Sequence, residues 1–434
     1  MKKNPFITGK RVPVAQFINR SKEIKDAVSL LLSGQSLAFT GYPRSGKTSL
    51  LLYLQELNLR EILYGENANQ MYFFYLDFQP ISYKFTHYLF WQRVLTEYLK
   101  NIKMKSPKSL LLSLYKYCDK SFFSTESMET FLIQSQKEGW HLVLLLDEFD
   151  TILHNPELNN NEFLGGLRTL ASRFGDALTL VISSQNTIST LNEETKKSTP
   201  GGSPYFNFLK EISILPFDRK HAQKIFSQST RNFSKKEKEF LIDIAGSHAY
   251  LLQTAGSALW NAYENKYLPE VRLIIVGQEV LRTASDSLER VWQSWTSEMR
   301  KVFTVIALDE MPTLLGDKLF DIESMRKSIL EYPRDIRYLS ERGFIAEDNL
   351  LPSGYCVTAK VMLWWLAEEL FIAIVKSDDL GKFLYKNQLD GLFTKGEQSQ
   401  FISAMASLTA LAKTSAATFV EAAAEGLGKG LTKT

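Results

Sequence analysis

Gly41, Gly46, Lys47 and Thr48 stand at the spacing GxxxxGK[ST], with Arg44 and Ser45 inside the run and Ser49 directly after it. Glycines let backbone N–H groups approach an anion without Cβ interference, and the N-terminus of a following helix adds partial positive charge. The pattern reads as a phosphate-binding loop for Mg-ATP or its product ADP. Lys47 is expected to reach the β- and γ-phosphates, Thr48 to ligate Mg²⁺, and Gly41, Arg44, Ser45, Gly46 and Ser49 to line the nucleotide. About one hundred residues further on, the apolar run from Leu142 ends in Asp147 and Glu148. An acidic pair at the end of a buried strand supplies a metal carboxylate, Asp147, and a general base, Glu148, that polarises the attacking water. Asp150 serves either as a third carboxylate near the metal or as a helix cap. A second strand end, Ser183-Ser184-Gln185, offers polar groups to the γ-phosphate or the lytic water, with Ser184 as the candidate.

These residues need a scaffold. Ser36–Thr40, Tyr72–Asp77, Leu142–Asp147, Ala177–Ser183 and Glu211–Leu215 read as strands, with helices Lys47–Glu56 and Glu162–Arg173 among them. Strands alternating with helices imply an α/β fold with a parallel sheet. Residues 82–139 read as helical and irregular, rich in aromatics and lysines. After residue 216 the strand signal stops and helices follow at Arg219–Ser229, Lys235–Ala245, Tyr250–Glu264 and from Val276. Helices near Glu298–Ala307, Ile322–Leu330 and Pro333–Arg342, then a hairpin at Gly343–Thr358, suggest a winged helix. The expected plan is a strap and helix over 1–34, a P-loop NTPase core over 35–215, a helical lid over 216–285, a winged helix over 286–375 and a helical tail over 376–434.

Composition is that of an ordinary globular chain: 434 residues, 44% hydrophobic, 23% charged, net charge +3. So small a net charge does not single out nucleic acid as the main partner. Two cysteines, Cys118 and Cys356, suit neither a metal site nor a secreted disulfide scaffold, and read as reduced, buried thiols. No apolar stretch follows the N-terminal lysines and no run of about 20 apolar residues occurs. The expected location is cytoplasmic.

Phe6-Ile-Thr-Gly-Lys-Arg-Val-Pro13, followed by Phe17-Ile-Asn-Arg20-Ser-Lys-Glu23, resembles the opening segment of AAA-like ATPases of the STAND class, the signal-transduction ATPases with numerous domains. Gly246-Ser-His248-Ala-Tyr250-Leu-Leu-Gln253 resembles that family's lid motif, and Leu339–Ile345 with Tyr355–Thr358 is similar to its winged helix. The resemblance implies an AAA+-type core, adenine contacts from Phe17, Ile18 and Arg20, and a phosphate-sensing His248. This chain departs from the pattern at Asn19 and Ala249, and carries Gln185 where many members have an arginine. Arg168 and Arg173 are the remaining candidates for an arginine finger, and weak hydrolysis is the expected consequence.

The resemblance implies a slow ATP switch that forms a homo-oligomer under nucleotide control, answers an unknown protein or ligand trigger, and serves signalling such as prokaryotic immunity or cell death. Phe401, Met405, Leu408, Leu411 and Ala412 recur at helical spacing ahead of Gly426, Gly428 and Gly430. That tail is expected either to dock on the winged helix or to act as an output segment on membranes or on copies of itself. The alternative is an AAA+ ATPase with a winged helix acting on DNA, of the replication-initiator or transposition and repair type. The mixed charge of Pro333–Arg342 and the acidic Glu347 and Asp348 argue against a DNA-reading wing.

Overall fold

The computed structural model describes residues 3–9, 11–18, 20–198, 204–229, 231–314, 319–375 and 380–414. Gly426, Gly428 and Gly430 lie outside the described residues. The chain divides into two compact units. The first holds Arg11–Tyr42 and Gly46–Ile214; the second holds Met1–Lys10, Pro43–Ser45 and Leu215–Thr434. The strap expected as one piece is therefore shared between them.

The first unit is a five-stranded parallel sheet of β1 (Leu37–Thr40), β2 (Met71–Asp77), β3 (His141–Asp147), β4 (Leu178–Ser184) and β5 (Lys210–Ser213), in the order β2-β3-β4-β1-β5. Alternation along each strand feeds two separate apolar layers. Leu142, Leu144 and Leu146 enter one layer with Phe74, Leu180 and Ile182. Val143 and Leu145 enter the other with Phe39, Leu50, Phe73 and Val181. Burial on both faces is why these strands read as continuous apolar runs. β4 stands between β1 and β3, so the ends of β1, β4 and β3 line one edge of the sheet. In parallel α/β sheets the carboxyl ends of the strands are where ligands bind.

Between β2 and β3 the aromatic, lysine-rich segment resolves into helices His87–Lys105, Leu111–Lys120 and Thr125–Lys137. The first two form an antiparallel hairpin. Its register is fixed where the Tyr88 hydroxyl donates to Asp119 at 2.8 Å and Thr96 meets Tyr115 at 3.4 Å.

In the second unit helices Arg219–Phe226, Lys235–Ala245 and Ala249–Glu264 lead into one long helix, Pro269–Gln293. It starts seven residues before Val276 because Pro269 fits the first helical turn, where no N–H partner is required. Position 285, expected as the boundary of lid and winged helix, falls inside it. Helices Ser297–Leu314, Glu323–Ser328 and Pro333–Glu341 then precede the antiparallel hairpin of β6 (Ile345–Glu347) and β7 (Tyr355–Val357). Two buried acids of Ser297–Leu314 secure that hairpin. Asp309 accepts from Arg326 at 2.6 Å and from the Ser353 amide at 2.8 Å, while Glu310 accepts from Lys360 and from the Val357 amide.

Helix Lys395–Thr414 packs on helices Lys360–Val375 and Glu323–Ser328. Phe401, Met405 and Leu408 of its stripe are buried there, and Lys301 pairs with Glu397 at 3.3 Å out of solvent. The described part of the stripe is thus docked, as in the first of the two arrangements expected of the tail. No helix among the described residues is long and apolar enough to cross a membrane.

Candidate functional site

β1 ends at Thr40, and the chain turns through the glycine-bounded loop into helix Lys47–Gln55. Gly46 adopts φ +103 at the N-cap, a conformation that a side chain would strain. Lys47 is only 4% exposed, and its ammonium donates to the Gly41 and Tyr42 carbonyls at 2.8 and 2.9 Å. Its charge is thereby held back on the loop itself. Thr48 and Ser49 are half-buried on the first turn, and Ser45 is buried. Arg44 is exposed, with φ 62, and its guanidinium lies 4.2 Å from the centroid of the Tyr250 ring.

At the end of β3, Asp147 is 1% exposed and surrounded by donors. The Tyr75 hydroxyl donates to its Oδ2 at 2.7 Å, Ser183 donates to Oδ1, and the Glu148 amide approaches Oδ1 at 3.2 Å. Glu148 takes φ 49 in the left-handed region, where a non-glycine residue is strained. Its backbone amide donates to Ser183 Oγ at 3.0 Å, and the Gln185 side-chain amide donates to its Oε2 at 3.2 Å. Burial raises the Glu148 pKa, against the lowering influence of Lys47 and of the Gln185 hydrogen bond. A carboxylate of raised basicity can take a proton from water.

Asp150 has another task. It accepts from Ser184 Oγ at 2.8 Å, from the Gln185 amide at 2.8 Å and from the Asn186 amide at 3.2 Å. Rather than capping a helix, it fastens the turn after β4. Ser184, the expected phosphate-sensing residue, is fully buried and its hydroxyl also engages the Asn186 carbonyl at 2.7 Å and amide at 2.9 Å. Its hydroxyl is thus engaged within the turn after β4. Its neighbour Ser183 faces Asp147 and Glu148 instead.

The remaining expected residues are more scattered. Phe17 packs against Tyr53, ring centroids 5.0 Å apart, and Ile18 is half-buried. Arg20 is 6% exposed and donates to Glu23 at 2.9 Å, so its guanidinium anchors the start of helix Ser21–Leu32. His248 sits half-buried at the N-cap of helix Ala249–Glu264, after Gly246 and Ser247, both left-handed. Arg173 is paired with Glu129. Cys118 is buried and Cys356 half-buried, both free.

The donor set suits magnesium in kind. Asp147 and Thr48 are hard oxygen ligands, and Mg²⁺ in nucleotide sites takes one or two protein oxygens together with phosphates and water. Among the described residues no larger cluster of His, Cys, Asp and Glu gathers for a metal.

Sequence reasoning missed Tyr75, the Ser183 contact and the Asp150 clamp. A signal for Tyr75 existed: β2 ends in Asp77, in register with Asp147, and a residue two positions earlier shares that face.

No protein-family profile matches the chain, and no curated protein matches it. Solved structures do. The Walker-type ATPase Paby2304 of Pyrococcus abyssi superposes with a TM-score of 0.51 at 14% identity, over 83% of this chain and 99% of that one. The ORC2 protein of Aeropyrum pernix, solved as ADPNP and ADP complexes, superposes with a TM-score of 0.50 at 12% identity, over 85% of this chain and 98% of that one. At such identity the likeness is one of fold: an AAA+-like P-loop ATPase fold with a helical C-terminal part.

Proposed function

We propose that this chain binds Mg-ATP at Gly41–Thr48, hydrolyses it with Glu148 as general base, and uses its nucleotide state to control engagement with DNA. The carrying observation for the chemistry is the buried Lys47 on its glycine-bounded loop, together with Asp147 and Glu148 at the end of a strand in the same sheet. Lys47 exchanges its two carbonyl partners for phosphate oxygens, and Glu148 takes the proton of the attacking water. Thr48 and Asp147 would hold a magnesium ion, which would supply charge neutralisation at the phosphates. Gln185 brings an amide rather than a cation to Glu148, which supports slow turnover.

DNA is the partner that the charge distribution supports, although not through the wing. Arg342 is buried, and the exposed Arg334 and Arg337 are offset by Glu331, Glu341 and Glu347. The basic surface is the hairpin of helices His87–Lys105 and Leu111–Lys120. Residues 81–120 carry eight lysines and arginines against two acids, and all eight cations are exposed. Tyr117 and Phe122 are exposed beside them, at 46% and 72%. Cations with interleaved aromatics suit a nucleic-acid backbone and unstacked bases.

A second reading, a STAND-type signalling switch that self-associates, is favoured by one observation. The two motifs that carry that resemblance meet inside the second unit. The Ile7 amide donates to Gln253 at 3.0 Å, and Phe6 packs so closely on Gly256 that a Cβ there would lie 2.4 Å from its ring. One experiment separates the readings: duplex binding by anisotropy at several salt concentrations, with ATP and with ADP, beside particle mass under the same conditions. The DNA reading expects nucleotide-dependent, salt-sensitive binding that Lys100→Glu with Lys103→Glu and Lys116→Glu abolishes. Failure to bind at low salt, with ATP-driven growth in mass, sinks it in favour of the switch.

A further inference from the structure

Asp147 is almost wholly buried, so hydrogen-bond donors rather than water must satisfy its two oxygens. Ser183 and the Glu148 amide serve Oδ1. Oδ2 receives the Tyr75 hydroxyl at 2.7 Å, from a different strand. Tyr75 pairs with Leu145 in the β2–β3 ladder, two residues before the Asp77–Asp147 pair, so the backbone ladder sets the reach of the phenol. The ring is in turn held from outside. The Arg11 guanidinium lies 5.2 Å from its centroid and donates to Asp77 at 3.2 Å.

We infer that Tyr75 is a positioning residue for the magnesium carboxylate, aiming Asp147 through Oδ2, and that Arg11 of the N-terminal segment secures Tyr75 in that role. The inference rests on the reading of Asp147 as the metal ligand. Partners that orient a ligating carboxylate typically contribute 10–100-fold to metal affinity. The arrangement also links the order of the segment around Arg11 to the metal site through two contacts.

The test uses the full chain with ADP and Mn²⁺ as the spectroscopic probe, read by electron paramagnetic resonance. Affinity for a fluorescent ADP in EDTA provides the metal-free control. Tyr75→Phe keeps the ring and loses the donor. It is expected to weaken Mn²⁺ binding about tenfold while leaving metal-free ADP affinity unchanged. Arg11→Ala, at a half-exposed side chain, is expected to act in the same direction to a smaller extent, and gives a second arm should Tyr75→Phe fold poorly. Asp147→Asn calibrates the site. If it leaves Mn²⁺ affinity intact, Asp147 is not a ligand and the underlying reading falls. If Asp147→Asn weakens Mn²⁺ but neither Tyr75→Phe nor Arg11→Ala does, the positioning role alone is overturned.

Discussion

Replacing Glu148 by Gln tests the catalytic reading most directly. The substitution keeps the size of the side chain and removes only the ability to take a proton. The Gln185 side chain donates to Glu148 Oε2 at 3.2 Å, and a Gln carbonyl still accepts that bond, though more weakly than a carboxylate. The left-handed backbone of residue 148 is the same burden for both residues. What changes is basicity, and loss of a general base lowers rate by about 10²–10⁴-fold, or about 3–5 kcal/mol of barrier. ATP affinity should stay within about threefold, since the carboxylate does not bind the ground-state phosphates. Stability should move the other way. Burial raises the folded-state pKa of Glu148 above its unfolded value. Such a group favours the fold below its unfolded pKa, and that contribution is lost as pH rises through the folded value. Ionised Glu148 is therefore a burden at pH 7, and Glu148→Gln should melt higher than wild type at pH 7.5, with the gap narrowing at pH 5.5. Wild-type hydrolysis should lose its rate on acidification at a pH above the ordinary carboxylate range. Single-turnover phosphate release, nucleotide binding and melts at the two pH values read all three effects. A Glu148→Gln protein that turns over ATP at the wild-type rate would refute the assignment.

Lys47→Ala removes two charged hydrogen bonds from the loop and the ammonium from the phosphates, and should lower ATP affinity by well over tenfold in a direct binding titration. Gly246→Ala should destabilise the second unit by more than about 1 kcal/mol in a denaturant melt, because φ is +55 and the new Cβ would lie 2.7 Å from the Ala359 backbone. Glu397→Gln leaves the charge of Lys301 buried and unpaired, and should cost about 3–5 kcal/mol, seen as a lower melting midpoint. Cys118, whose thiol burial pushes up to about 11, should resist alkylation at pH 8 until the chain unfolds, as followed by mass spectrometry.

Much of the first unit was legible because its strands are buried on both faces. A run such as Leu142–Leu146 leaves few readings open, and an acidic pair at its end marks the edge where ligands bind. Glycine at the loop was legible for a local reason, the φ of +103 at Gly46. The roles of the small polar residues were not. Ser183 and Ser184 are adjacent and chemically identical, yet one faces Asp147 and the other Asp150, a choice made by strand alternation and by the turn at Asn186. Asp150 gave no sign in the sequence that its three partners lie across a strand boundary. Asp309 and Glu310 likewise look like surface acids on a helix until the hairpin supplies the buried donors that hold them. Burial of an acid is decided by its partner, and these partners lie 17 to 50 residues away.

The helix Pro269–Gln293 carries one uninterrupted row of buried side chains through Val276, Val280, Ala284, Leu288 and Val291. It packs on helix Ala249–Glu264 of the lid and on helix Lys360–Val375 beyond the wing. Lid and winged helix are thus two modules by motif but one piece by construction. A protease that cuts near residue 285 would have to melt a helix whose buried row runs on both sides of the cut. A chimera that exchanges the winged helix alone would split that row between two parents. The exchangeable part is the pair, so a partner specificity built on the wing would have to travel with the lid.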